Sequence, residues 1–394
     1  MKFVVSRDPR LDSSLLWPFC SHNILPSPVR GRPATYHFWA RNALFHGLKA
    51  LGLKSEDAVL VPAFHCETVV ETILHYGCRV VFYNVTREGI IDLEDLATRV
   101  DGQTKAIIAI HYFGILQPLK RLRAFCQQYQ LFLIEDCAHI LMGDVEGDQI
   151  GSVGDISIFS WRKFLPIYDG GLLIYNHVPP QSSLRWTNLK WWYQLKIVKN
   201  LLEKCFNERS GTQLLVFSQQ GQQSIVQSSR REDVLSDAVS SQTRASEFQA
   251  SQLNWPMSRW SQIILENVDL EEIVGRRKKN STVLCQALEQ LPEVYPWSSA
   301  GRHEACAWAF PVVTPTHQDI HRQLREKGIE AFSWGGVIHP SLPLEKFPDA
   351  KFLYEHLVLL PIHQSLISDE MSFMIEGLRD ILKRSRAQPQ EVLQ

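Results

Sequence analysis

At 394 residues the chain is too long for one compact core and implies two lobes. Its composition, 45% apolar and 21% charged, is that of an ordinary soluble enzyme, and a formal net charge of −1 excludes a global attraction to nucleic acid. Eight cysteines with no C-x-x-C pair, several of them inside apolar runs, read as reduced thiols of a cytoplasmic protein.

The opening MKFVVSRDPRLD has no sustained apolar core behind a basic head, so no signal peptide is expected. No apolar stretch is long enough to span a bilayer. Arg41 to Leu53 has helical spacing, with Ala43, Leu44, Leu48 and Leu51 on one face and Gly52 as its stop. Strands and helices then alternate. Ala58 to Val61 predicts a strand ending at Pro62, Cys66 to His75 a helix, and Arg79 to Tyr83 a strand. Leu93 to Arg99 predicts a helix, Lys105 to His111 a strand, Leu119 to Tyr129 a helix, and Leu131 to Ile134 a strand. This rhythm predicts an α/β fold with parallel strands and crossover helices. The continuous apolar run Ala106 to Ile110 fits a sheet covered on both faces. Ligands collect beyond the carboxyl ends of such strands, where His65, His111, Asp136 and His139 fall.

After Tyr175 the rhythm changes. Residues 185–204 are aromatic and basic, with a net charge of +4 from five basic residues and one acidic. They read as an amphipathic helix packed on its own protein with a solvated basic face, or as a nucleotide-diphosphate contact or membrane-surface helix. Residues 208–251, rich in Ser and Gln, predict long surface loops or partial disorder. A single long helix is expected from Trp260 to Leu291. A strand at Ala307 to Val313, a helix from Gln318 to Lys327 closed by Gly328, and a last helix from Asp369 to Lys383 complete the chain. The expected division is a large domain over 1–250 and a small one over 251–394.

Residues 131–176 carry the chemistry. An apolar run delivers Glu135 and Asp136, with His139 three residues on. Ser160 and Lys163 precede Asp169-Gly170-Gly171 and a second apolar run. A strand-end acid, a downstream lysine and a glycine pair are the parts that hold pyridoxal phosphate: the acid keeps the pyridine nitrogen protonated and the lysine forms the imine. No partner ligands stand at metal spacing from His65-Cys66, so no metal is expected.

The motifs Glu135-Asp136-Cys137-Ala138-His139, Gly151 to Ser160, and Lys163 with Asp169-Gly170-Gly171 resemble those of the DegT/DnrJ/EryC1/StrS sugar aminotransferases. The resemblance extends over roughly residues 35–385 and several motifs occur in order. It implies an aspartate-aminotransferase-like pyridoxal phosphate fold, with a large domain built on a mostly parallel sheet covered by helices and a smaller C-terminal α+β domain. It implies catalytic roles for Lys163 and Asp136, and cofactor contacts from Ala40, Arg41, His65, Asp136, His139, Ser160 and Lys163. Ala40 replaces a family glycine and Arg41 a hydroxyl residue at a helix start whose amides still suit phosphate. Only Trp161 and Arg162 separate Ser160 from Lys163, where the family usually has four residues. Counting back from Gly77 puts His65 at the position of the lid over the cofactor ring.

The resemblance further implies a homodimer acting on a nucleotide-linked keto sugar, with an amino acid, usually glutamate, as donor. Asn254-Trp255-Pro256-Met257-Ser258 is the counterpart of the segment that completes the neighbouring site, with Pro256 in place of an arginine. A sugar dehydratase of the same family would carry histidine in place of Lys163. A catalytically degenerate binding or assembly protein is the other alternative.

Overall fold

The alternation between residues 34 and 175 folds as a seven-stranded sheet with helices on its faces. The computed structural model of the protein describes residues 4–16, 27–145, 147–181, 184–209, 249–297, 305–315, 319–334 and 338–387. In chain order it has β1 (Ala34–His37), α1 (Ala40–Ala50), β2 (Ala58–Pro62), α2 (Glu67–Tyr76), β3 (Arg79–Tyr83) and α3 (Leu93–Arg99). There follow β4 (Thr104–Ile110), α4 (Leu119–Tyr129), β5 (Phe132–Asp136), the short pair β6 (Asp144–Val145) and β7 (Asp148–Gln149), β8 (Ile156–Ser160) and β9 (Gly171–Tyr175). The strand order is β1-β9-β8-β5-β4-β2-β3. The β3, β2, β4, β5 and β8 strands pair in parallel, and β9 pairs antiparallel with both β8 and β1.

Register brings the parallel strands to a common edge. Asp136 lies level with Ile110 on one side and Ile158 on the other. The strand expected to stop at Ile134 runs two residues further, so both acids are strand residues with side chains on opposite faces. Every residue of β2, β8 and β9 is buried, as a sheet covered on both faces requires. Gly171 opens β9 where the backbone of Trp39 and Ala40 crosses it. A Cβ there would lie 2.2 Å from the Trp39 carbonyl oxygen, so only glycine lets the start of α1 approach.

Beyond β9 come α5 (Trp191–Arg209), α6 (Arg259–Asn267) and α7 (Leu270–Leu288). The single helix expected from Trp260 is thus two. Val268 is extended at ψ 140°, and Asp269 starts α7 by accepting from the Glu272 amide at 3.0 Å. Residues 210–248, the bulk of the Ser/Gln-rich stretch, lie outside the described residues. The chain then forms β10 (Tyr295–Pro296), β11 (Ala309–Val313), α8 (Ile320–Glu326), β12 (Phe332–Ser333), α9 (Pro348–His356), β13 (Leu357–Pro361) and α10 (Ser368–Ala387). These four strands make an antiparallel sheet ordered β10-β11-β13-β12. Its core joins Phe310, Val312, Val358 and Leu360 to Leu284 and Leu288 of α7, Leu324 of α8 and Met374 and Leu378 of α10.

Two contacts tie the ends of the chain across this plan. The Val5 amide donates to Gly328 O at 2.9 Å and the Val5 carbonyl accepts from Glu330 N at 2.8 Å. Pro256 bridges His37 of β1. Among the described residues no helix is long and apolar enough to cross a membrane.

Candidate active site

The two acids at the end of β5 do different work. Glu135 is fully buried and accepts from the amides of Gly151 at 2.6 Å, Gly154 at 2.8 Å and Val153 at 3.1 Å, and from His111 Nε2 at 3.2 Å. Burial opposes its ionisation, but His111 and the Gly154 and Gly151 amides outweigh it and hold the carboxyl below its ordinary pKa. Glu135 therefore pins the turn that leads into β8. Asp136, on the other face, is 4% exposed, and its carboxylate accepts from the Ala138 amide at Oδ1 at 2.8 Å. Burial raises its pKa, against the pull of that amide and of the charges on Lys163 and His111.

His139 lies in an aromatic box. Its ring stacks on Phe113 at 4.3 Å between centroids, with planes 7° apart, and on Trp308 at 5.5 Å and 25°. Trp334 meets it edge-on at 4.6 Å. Burial first, and Lys163 second, push its pKa far below the usual value, so the imidazole is neutral, and its buried Nδ1 has no hydrogen-bond partner. An unsatisfied buried nitrogen is a place for a ligand atom.

Strand β8 ends at Ser160, and residues 161–163 form one turn of 3₁₀ helix closed by Phe164 N donating to Trp161 O at 2.9 Å. That tight turn brings Lys163 up after only two intervening residues. Its Nζ lies 4.7 Å from the centroid of Trp308. Burial is the main reason its pKa drops to about 8. The charges of Arg162 and Arg7 push the same way, and Cys66 and Asp136 resist. A lysine so placed has an appreciable neutral fraction near pH 7.

Cations gather at the start of α1. The Arg162 guanidinium lies 4.8 Å from the Trp39 ring, and that of Arg41 lies 6.0 Å from it on the same helix end. Burial, then Arg41, lower the Arg162 pKa from its ordinary value. Ala40 begins the helix and Trp39 caps it without a side-chain bond; two guanidiniums lie over the residue that caps the helix, and buried Ser160 is two residues from Arg162 in sequence. Arg162 has no motif signal of its own in the sequence, and only the fold brings it to Trp39.

His65 is buried against the end of β2. Its ring stacks on Phe82 at 5.2 Å, and its Nδ1 lies 3.0 Å from Pro62 O and 3.1 Å from Ala63 O. Burial lowers its pKa to about 4. The next residue, Cys66, is half-buried and within electrostatic reach of Lys163, Arg162 and Tyr354. Its Sγ is 3.3 Å from Thr68 Oγ1 in the first turn of α2.

The segment from Asn254 to Ser258 lies along β1. Trp255 O accepts from Phe38 N at 3.0 Å, Met257 N donates to Tyr36 O at 3.2 Å, and Ser258 N donates to Asp169 Oδ1 at 2.9 Å. Burial lifts the Asp169 pKa to about 6, and its Oδ2 is buried without a partner.

Comparison with known proteins gives the setting for this geometry. GDP-perosamine synthase of Vibrio cholerae is 34% identical over 137 residues, which is 34% of this chain and 37% of that protein. Spore coat polysaccharide biosynthesis protein SpsC of Bacillus subtilis is 25% identical over 377 residues, 86% of this chain and 83% of its own length. Among solved structures, Helicobacter pylori PseC, an aminotransferase involved in the biosynthesis of pseudoaminic acid, superposes with a TM-score of 0.66 at 16% identity, covering 97% of this chain and all of that one. The putative sugar aminotransferase Spr1654 of Streptococcus pneumoniae gives 0.67 at 17% identity, covering 98% of this chain and 99% of its own. Identities this low show a shared fold. The sequence profile of one family matches residues 40–379, most of the length, and the chain belongs to the DegT/DnrJ/EryC1/StrS aminotransferase family.

Proposed function

We propose that this aminotransferase, working with pyridoxal 5′-phosphate, moves an amino group from an amino acid, glutamate by preference, to a nucleotide-linked keto sugar. The product feeds glycan synthesis in the cytoplasm. The relatives' names support this: a GDP-perosamine synthase, a spore coat polysaccharide biosynthesis protein, and a UDP-4-amino-4,6-dideoxy-N-acetyl-beta-L-altrosamine transaminase. The observation that carries the reading is the meeting of Lys163 with buried Asp136 under Trp308.

The residues fit the cofactor. Asp136 has one oxygen committed to Ala138, and its charge would offset a protonated ring nitrogen, so the burial that now raises its pKa would be compensated. His139 offers a neutral imidazole with a free Nδ1. Arg41, Arg162, Ser160 and the first amides of α1 would hold the phosphate. The cofactor, once bound, supplies an electron sink beside the donor's reacting carbon. Lys163 would anchor it, and with its pKa lowered to about 8 its Nζ, when neutral, would take a proton from the donor carbon and hold it for return. Trp308, Trp334 and Phe113 keep water from that proton. Cys66 faces the same space and bears on Lys163.

We read the assembly as a homodimer, with Asn254 to Ser258 close to the partner's site. A closed twofold arrangement would give two equivalent sites.

The test is chemical. Borohydride reduction of the loaded protein followed by mass spectrometry should leave the cofactor on Lys163, and Lys163→Ala should abolish both the label and turnover of a panel of nucleotide-linked keto sugars with glutamate. A label on another lysine would sink the assignment.

A further inference from the structure

We propose that α5 and the segment leading into it form a docking face for a membrane surface bearing anionic headgroups. The helix carries two apolar stripes. One faces the protein: Ile197 and Leu201 are 0% and 3% exposed, and Tyr193 meets Trp255 edge-on at 4.6 Å. That stripe suffices to seat the helix. The other faces outward: Trp191, Leu195 and Leu202 are 69%, 59% and 46% exposed, and half-buried Val198 lies between them at helical spacing. Trp192 and Trp186 extend the face at 48% and 41% exposure.

Charge selects the occupant. Arg185, Lys190, Lys196 and Lys199 are all exposed around this stripe, and Glu203 is the one acidic residue between positions 185 and 204. Lys190 Nζ lies 5.0 Å from the Trp192 ring, so the cations and the aromatic rings share one surface. A second copy of the chain meeting this face across a twofold axis would set the same cations against themselves. An anionic lipid surface complements both features: tryptophan rings settle at headgroup depth, leucines sink below them, and lysines meet the headgroup phosphates. The helix would lie in the plane of the surface, since no described helix is apolar enough to cross it.

Flotation of the full-length, cofactor-loaded protein tests this. Vesicles of phosphatidylcholine with about 30% phosphatidylglycerol should carry the protein at low salt, vesicles of phosphatidylcholine alone should not, and high salt should release it. Replacing Lys190, Lys196 and Lys199 together by Gln should lower the partition about a hundredfold. Trp191→Ser with Leu195→Ser and Leu202→Ser should abolish it. Both triple variants should keep wild-type turnover and melting temperature, because the replaced side chains point outward. Failure of the wild type to float with anionic vesicles overturns the proposal, and so does flotation that ignores both triple variants. If sedimentation instead shows that the Trp-Leu variant loses self-association while the wild type never floats, the face belongs to a second copy and the proposal falls. None of these readouts passes through Lys163, so they stand apart from the assignment of the reaction.

Discussion

The floor of the candidate site, Glu135, Asp136 and His139, comes from one short stretch of chain steadied by His111, whereas its rim gathers Trp39 and Arg41, Arg162 and Asp169, and Ser258 from three. On the floor, three amides and His111 fix Glu135, and the β5–β8 register fixes Asp136 opposite Ile158. At the rim, two guanidiniums share one Trp39 ring, and Asp169 accepts a hydrogen bond from the Ser258 backbone amide. Chemistry that depends on position to a fraction of an ångström sits on the floor. Charge that needs only to be near sits on the rim. Substitutions on the floor should therefore act on turnover or on folding, and those on the rim on affinity and pH dependence.

The sharpest break is between the two adjacent acids. Asp136→Asn should lower kcat about a hundredfold or more while cofactor is still bound, because a neutral amide cannot balance a protonated ring nitrogen. Its melting temperature should hold or rise, since an incompletely paired buried charge is removed. Glu135→Gln should do the reverse. It would turn an NH₂ group toward donor amides and cost on the order of 2–3 kcal/mol of stability, read by denaturant melts, with a smaller loss of kcat. If both variants lose turnover equally and neither loses stability, the division of labour is wrong.

Part of this was readable from the sequence. The elements over Arg79–Tyr83, Leu93–Arg99 and Leu119–Tyr129 have the bounds their periodicity predicts, because local signals close them: Asp92 caps one helix and Gln130, left-handed at φ 55°, ends another. Strand β1, four half-polar residues, exists because β9 pairs with it, and that partner is distant in sequence. The break between α6 and α7 was hidden because the apolar spacing continues through it, while an Asp269 cap interrupts the backbone. Asp136 and His139 each lie within electrostatic reach of Lys163, for the three share one strand-turn-strand unit. Arg162 and Cys66 were missed because their importance lies in what folds against them, Trp39 and Lys163, and no local pattern records that.

A rim test follows from Arg162. Arg162→Ala should weaken cofactor binding about tenfold, as loss of one charge-assisted contact does, with little change in melting temperature. It should also raise the Lys163 pKa, because a positive neighbour that lowers it is gone. The rise would move the limb of the pH–rate profile that reports Lys163 to higher pH. An unchanged Kd and profile would make Arg162 a packing residue on Trp39.

The smallest expected effect concerns Asp169. Burial lifts its folded pKa from 3.8 to about 6. The folded state thus holds this proton more tightly than the unfolded state does. Between those two values the folded chain binds more protons, so the stability this group contributes is fully present below pH 3.8 and is lost as pH rises through 6. The loss should be on the order of 1–3 kcal/mol at most. Asp169→Asn keeps an oxygen to accept from the Ser258 amide and removes the charge. Its unfolding free energy should therefore lack this downward slope between pH 4 and 6, and at pH 7 it should equal or exceed the wild type by about 1 kcal/mol. Denaturant melts of both chains across that range give the difference directly. Should the variant instead lose stability at pH 7, the ionised carboxylate is doing more at the rim than capping Ser258. The charge of Arg162, which already acts to lower the Asp169 pKa, would then be its effective partner.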